Sequence, residues 1–245
     1  MTSVDPVETA TDGRGLTSIA FDYLRADVLH GVLKPQERLR VQALSARYQI
    51  GATAIREALS RLVTEGLVQV EDQRGFKVAP VSRADLLDLT EARIDLESMT
   101  LTHALKRGDT AWEAELMASY HRLSKCPPPT SAAAAATWGV MHRAFHEALL
   151  AGCGSAWLQT LCSLLYDKSE RYRHLANIRT RSRTSNRSDE HRELMDSALR
   201  RDVKVSCRLL AEHYRRTTEI ILKSDEVLAM FDPPKPQRGR AAVHG

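Results

Sequence analysis

Four histidines have the types and spacing to hold a metal ion. His142 and His146 stand four apart in TWGVMHRAFHEALL, which reads as a helix, so their rings share one face about a turn apart. His191 lies in DEHRELMDSALRRD and His213 in LLAEHYRR, each the core of a further helical stretch. Imidazole suits zinc, nickel, copper or iron, and facing helices of a bundle are where such centres are built. Spacing alone leaves a second reading open: a lone histidine is more often a surface or hydrogen-bonded core residue. A zinc peptidase is excluded, because His146-Glu147 begins the HExxH pattern but the place of its second histidine is held by Leu150.

A second chemistry is written in residues 44–66, LSARYQIGATAIREALSRLVTEG. Leu44 and Tyr48 give one short helix a buried edge, and Gln49-Ile50-Gly51 breaks it, with Gly51 expected to take the positive φ of the turn. Ile55, Ala58, Leu59 and Leu62 then recur at helical spacing, while Thr53, Arg56, Ser60 and Arg61 fall on the opposite face. Hydroxyls and guanidinium groups on one side of a helix suit a major groove, where base edges and phosphates both need donors. An ordinary amphipathic helix pair with a solvated face fits this window equally well. The flanking elements decide for DNA. Leu16, Ile19, Tyr23, Leu24 and Val28 mark a preceding helix closed by Gly31, GVLKPQERL reads as a turn, and Val68, Val70, Phe76 and Val78 alternate as a short hairpin around DQRG. Helix, helix-turn-helix, hairpin is the order of a winged helix, with Arg74 and Gly75 at the tip.

The elements that must position the histidines follow Pro80. Ser82 with Asp85 resembles a capping box and opens a long helix to about Lys106. Further helices are expected near 110–125, 132–150, 155–177, 184–200 and 202–223. The fold class is therefore mainly α: a winged helix-turn-helix over 16–81 and an all-helical bundle over 82–223. Residues 1–15 read as a disordered lead-in and 224–245 as a disordered basic tail. A net charge of +4 and a pI near 8.9 permit nucleic acid without requiring it. Aromatics at 5% argue against a base-stacking single-strand binder. The N-terminus lacks a signal-peptide core and no apolar run approaches the ~18 residues of a membrane span, so the expectation is a cytoplasmic protein off the membrane. Cys126, Cys153, Cys162 and Cys207 form no CxxC pair and read as buried thiols in a reducing cytoplasm. Seven arginines in 171–192 read as a solvated face or loop.

The runs GVLKPQERL, LSARYQI, IREALSRLVTEGLV and RGFKV resemble the N-terminal domain of the GntR family of bacterial transcription regulators. The resemblance implies that Thr53 and Arg56 contact DNA, that Arg74-Gly75 forms the wing tip, and that Arg40, Gln42, Arg47 and Arg61 join the same interface. The family commonly has Ser-Arg-Thr-Pro where this chain has Gly51-Ala52-Thr53-Ala54; phosphate positioning carries over, and the operator bases do not. The bundle resembles the FCD ligand-binding domain of the FadR-type branch. Its marks are Arg93 and Glu97 four apart in the first helix, HRAFHEAL at 142–149, EHRELMDSALRRD and His213. Many members hold a divalent metal there with one Asp and three His. This chain has His142 where Asp is usual, which implies zinc, with nickel as the alternative, and a stronger pull on an anionic effector.

Taken together, the resemblance implies a homodimeric repressor that reads an inverted repeat in double-stranded DNA and responds to a small organic acid. Arg93 is the candidate for a second carboxylate contact, with an ion pair to Glu97 as the open alternative. Tyr172 is a weaker effector candidate, with core packing as its alternative. The stretch from Trp138 to Arg173 also resembles a sub-branch tied to glutarate and 2-hydroxyglutarate catabolism, pointing to a five-carbon dicarboxylate or hydroxy acid. No catalytic residue is expected. The rivals are a helical metallohydrolase with a DNA-binding head and an architectural DNA binder whose metal is structural; the family's aminotransferase-fused branch needs a far longer chain.

Overall fold

The computed structural model describes residues 15–71, 75–127, 132–176 and 186–231. The chain divides into two compact units, Met1–Pro80 and Val81–Gly245.

In the first unit, α1 (Leu16–Leu29), α2 (Val41–Tyr48) and α3 (Ala52–Thr64) pack on a three-stranded sheet of β1 (Arg38–Leu39), β2 (Val68–Glu71) and β3 (Gly75–Val78). Ala20, Leu24 and Val28 from α1 meet Ile55, Ala58, Leu59 and Leu62 from α3, all essentially without solvent exposure. On α3 that is the stripe the spacing predicts; on α1 Leu24 and Val28 hold, while Leu16 and Tyr23 are exposed and Ala20 takes the buried place. Sheet order is β1-β3-β2, with Arg38 opposite Lys77 and Val70 opposite Phe76. The expected turn GVLKPQERL thus contains a strand. Two residues give no periodicity to read; the register on β3 creates β1, reinforced by the Gln36 N–H donating to the Val78 carbonyl at 3.1 Å.

The break between α2 and α3 also differs from expectation. Gly51 has φ −57°, and Gln49 carries the left-handed conformation at φ 55°. Its N–H caps the Ser45 carbonyl and its side-chain amide donates to the Ala46 carbonyl at 2.6 Å, so local hydrogen bonds offset the steric cost that glycine would have avoided. The hairpin tip, Arg74 included, lies outside the described residues; Gly75 follows with φ +85°.

The second unit is helical: α4 (Arg83–Arg107), α5 (Thr110–Ser124), α6 (Ala132–Ala151), α7 (Ala156–Leu175), α8 (Asn186–Leu199), α9 (Val203–Leu222) and α10 (Asp225–Phe231). Ser82 caps α4 by accepting from the Asp85 N–H at 3.0 Å, as the capping pattern predicts. Leu101, Leu116, Phe145, Leu149, Leu194 and Leu210 fill the main core. Gly108 ends α4 for a packing reason: a Cβ there would come within 2.5 Å of the Trp112 ring, whose Nε1–H donates to the Ala148 carbonyl of α6 at 2.9 Å. The segment expected to be disordered from 224 instead opens with α10. Val227 is fully buried in a second cluster with Leu86, Tyr172 and Ile221. The acidic caps Asp225 and Glu226 and this one anchor outweigh the tail's polar composition.

Candidate metal centre and nucleic-acid face

The inward faces of α6, α8 and α9 bring His142, His146, His191 and His213 together. All four are buried, and one ring nitrogen from each lies within 4.8 Å of the others. His146 Nε2 and His142 Nε2 are 3.2 Å apart. Two nitrogens at ~2.05 Å on a tetrahedral zinc are separated by about 3.3 Å, so this pair already sits at ligand spacing.

In three of the four rings the other nitrogen lies beside an oxygen. His213 Nδ1 lies 3.0 Å from Glu190 Oε2, and His142 Nδ1 lies 2.9 Å from the Tyr166 hydroxyl. His146 Nδ1 lies 3.4 Å from the Tyr214 hydroxyl, which donates to Glu97. Such partners orient the ring and turn the other nitrogen toward the metal position. Burial, reinforced by Arg173 and by the neighbouring rings, pushes His142 well below the ordinary imidazole value. Burial and the cationic neighbours do the same for His146. Both rings are therefore neutral at pH 7, which is the form that ligates. Glu190 is lowered to about 2, the hydrogen bonds and charges of His213 and Arg216 overcoming its burial, so it stays an anion. The four-imidazole donor set and the 3.2 Å spacing of the His142–His146 pair fit a nitrogen-preferring divalent ion.

Arg93 is buried on α4. It donates to Glu97 at 2.8 Å and Ser169 at 2.7 Å, and its guanidinium lies 4.0 Å from the Tyr214 ring centroid. The ion pair with Glu97 is therefore present, yet Arg93 Nη2 remains buried and meets no hydrogen-bond acceptor among the described residues. Arg93, Arg173, His142 and His213 border one cavity of about 10 Å³, the space of a single water. A larger chamber of about 650 Å³ reaches His146 and Tyr166 from the side of Glu147 and Ser163. Tyr172 borders neither. Its hydroxyl donates to Asp85 at 2.5 Å and accepts from the Ser82 N–H at 3.3 Å, tying α7 to the start of α4. Burial pushes the Cys162 thiol up to about 11; the cysteines are free, Cys153 and Cys162 buried as expected and Cys126 and Cys207 only partly so.

Sequence reasoning missed Arg173, Tyr166 and Tyr214. Arg171 and Arg173 belong to the run expected to be solvated, but both are buried; residues 177–185 of that run lie outside the described residues. A signal existed for Arg173: Tyr166, Glu170 and Arg173 recur at helical spacing on α7, and Glu170 pairs with Arg173 at 3.1 Å.

In the first unit, Thr53, Arg56, Ser60 and Arg61 are exposed on α3, and Arg40 and Gln42 are exposed at the start of α2. Arg56 and Thr53 point away from the core. Arg61 is partly committed, its guanidinium 4.0 Å from the Phe21 ring centroid, and Arg47 pairs with Asp27 at 2.8 Å.

Residues 16–78 match the gntR family of bacterial regulatory proteins, and residues 88–216 match the FCD domain. The chain belongs to the GntR family, in the branch that carries an FCD domain. Among similar proteins, the uncharacterized HTH-type transcriptional regulator BphR of Paraburkholderia xenovorans is 40% identical over 211 residues, covering 85% of this chain and 86% of its own. The HTH-type transcriptional repressor GlaR of Escherichia coli is 36% identical over 211 residues, 84% of this chain and 96% of its own. The structure of E. coli McbR/YncC aligns with a TM-score of 0.70 at 21% identity, over 85% of this chain and 98% of that one, which shows the shared fold. This GntR protein is a DNA-binding transcription regulator, not an enzyme, which removes the metallohydrolase alternative. Among the described residues no helix is long and apolar enough to cross a membrane.

Proposed function

We propose that this GntR regulator is a repressor whose grip on its operator is set by a small carboxylate bound at a metal ion. His142, His146, His191 and His213 would hold the metal, zinc with nickel as the alternative. The observation that carries the reading is the convergence of four buried imidazoles, one ring nitrogen of each within 4.8 Å of the others. A bound divalent ion with open coordination positions supplies affinity for an anionic oxygen. Arg93 contributes a buried donor at the same cavity, so the ligand is an anion, with glutarate or 2-hydroxyglutarate as the class to try first. Tyr172 is left out of this site, because its hydroxyl is spent on α4.

A ligand shifts a regulator only by binding its two arrangements unequally. The water-sized cavity supports such a difference: a dicarboxylate enters only if side chains around it move. In a homodimer this would alter the placing of two winged helices on an inverted repeat. Thr53 and Arg56, with Arg40, Gln42 and Arg61, form the DNA face, and the wing residues Arg74 and Gly75 would add to it; Arg47 acts through its pairing with Asp27.

The test is elemental analysis of purified protein and of His146→Ala, with fluorescence anisotropy on the promoter fragment. The wild type is expected to carry about one metal per chain, and glutarate is expected to release the metal-loaded protein from DNA. A wild type that takes up no zinc or nickel, or operator binding indifferent to metal and acid, sinks the reading and leaves a structural cluster on an architectural binder.

A further inference from the structure

The small cavity beside the histidines has a second cation in its wall. Arg173 is 4% exposed, and its Nη1 lies 3.4 Å from both ring nitrogens of His142. It pairs with Glu170, and its guanidinium lies 5.2 Å from the Trp138 ring centroid. Arg93 borders the same cavity with Nη2 lacking a hydrogen-bond acceptor among the described residues. We propose that Arg173, with Arg93, makes the cavity selective for a ligand carrying two carboxylates over one carrying a single carboxylate. The inference rests on the carboxylate-sensing reading above and adds its charge rule and the residue that enforces it.

The argument begins with charge. Arg93 is balanced by Glu97 and Arg173 by Glu170. A divalent ion held by the four imidazoles would add two positive charges with no carboxylate among its ligands. One carboxylate leaves a net positive charge in a buried place, where an uncompensated charge is costly; a second removes it. Hydrogen bonding points the same way. The Thr90 and Thr218 hydroxyls bond each other at 2.7 Å, and Ser169 accepts from Arg93. The two guanidinium groups are the charged donors in the cavity wall that can meet a second carboxylate, and their planar forks match it. A contact between Arg173 and the His142 ring is a poor resting place for a cation, since a neutral imidazole has one lone pair to offer. Moving Arg173 from that ring onto an incoming carboxylate opens the water-sized space at the same time.

The experiment compares glutarate with pentanoate, the same chain with one carboxylate fewer, by calorimetry on zinc-loaded full-length protein. Zinc content and thermal melting are read alongside. The wild type is expected to prefer glutarate by at least about thirty-fold, the loss typical of an unpaired buried charge. In Arg173→Gln that preference falls to within about three-fold while zinc content stays at the wild-type level. Glu170→Gln, which frees Arg173 of its counter-ion, is expected to widen the preference. Equal binding of both acids by the wild type overturns this inference alone; so does a full preference retained in Arg173→Gln. Should Arg173→Gln not fold, a Glu170→Gln preference equal to or below that of the wild type overturns it instead. Failure of both acids to bind the zinc-loaded wild type brings down the sensing reading and this inference together.

Discussion

At the scale of single residues, the second ring nitrogen of each histidine matters as much as the first. Tyr214 donates to Glu97 and sits against His146, so one hydroxyl links Arg93, Glu97 and a metal-facing imidazole. Removing it in Tyr214→Phe leaves the fold's apolar contacts in place and frees the ring to turn. Zinc affinity, measured by competition with a chelator, is expected to fall about 10–100-fold, the range for lost outer partners. His146→Ala removes a ligand outright and is expected to fall further. A Tyr214→Phe protein with wild-type affinity would show that packing alone orients His146. Arg56 poses the matching test on the DNA face. It is exposed and, among the described residues, makes no contact the core depends on, so Arg56→Ala is expected to weaken operator binding by about 1–3 kcal/mol with little change in melting temperature. Arg61→Ala, by contrast, also loses the contact with Phe21 and is expected to lower stability by about 0.5–1 kcal/mol.

At the scale of elements, α4 carries two junctions whose chemistry is local. Ser82 accepts from the Asp85 N–H, and both are tied to Tyr172 of α7. Ser82→Ala therefore removes the cap, at a cost of about 1 kcal/mol in denaturant unfolding, while the backbone contacts to Tyr172 persist. At the other end, Gly108 lies under Trp112 with no room for a methyl group. Its φ of −58° is open to any residue, so the intolerance expected of Gly108→Ala is steric. A Gly108→Ala protein as stable as the wild type would mean that the Trp112 ring shifts freely. The α2–α3 junction teaches the reverse lesson. Glycine was the natural choice for the left-handed residue, yet Gln49 holds it, because its own side chain satisfies a carbonyl that the helix end leaves open.

At the scale of the whole molecule, the four imidazoles couple folding to pH and to metal. His142 and His146 are held below 6.5 in the folded state and return to it on unfolding. Their contribution to stability is complete above pH 6.5 and is lost as the pH falls toward their folded values, because the unfolded chain then binds more protons. Metal-free protein is accordingly expected to melt at lower temperature at pH 5.5 than at pH 7.5. Zinc should deepen the contrast, since protons compete for the same nitrogens. A melting temperature independent of pH across that window would mean the rings are hydrated. The compact unit beginning at Val81 holds all four ligands. Where calorimetry resolves two transitions, zinc is expected to raise one and leave the other unmoved.

Much of this protein is legible from periodicity. Apolar spacing marks α1, α3 and the bundle helices, and alternation marks β2 and β3, because burying one face of a helix or strand dictates where the hydrophobic side chains fall. His142 and His146 share a helix face by the same arithmetic. What spacing cannot supply is a partner from another element. Strand β1 exists because β3 lies beside it, and α10 is anchored because Val227 finds a core waiting. Arg173, in a run that composition assigns to solvent, is buried because α7 turns it onto His142 and Glu170. Burial of a charge depends on what stands opposite it, and only the folded chain brings those groups to within a few ångströms of each other.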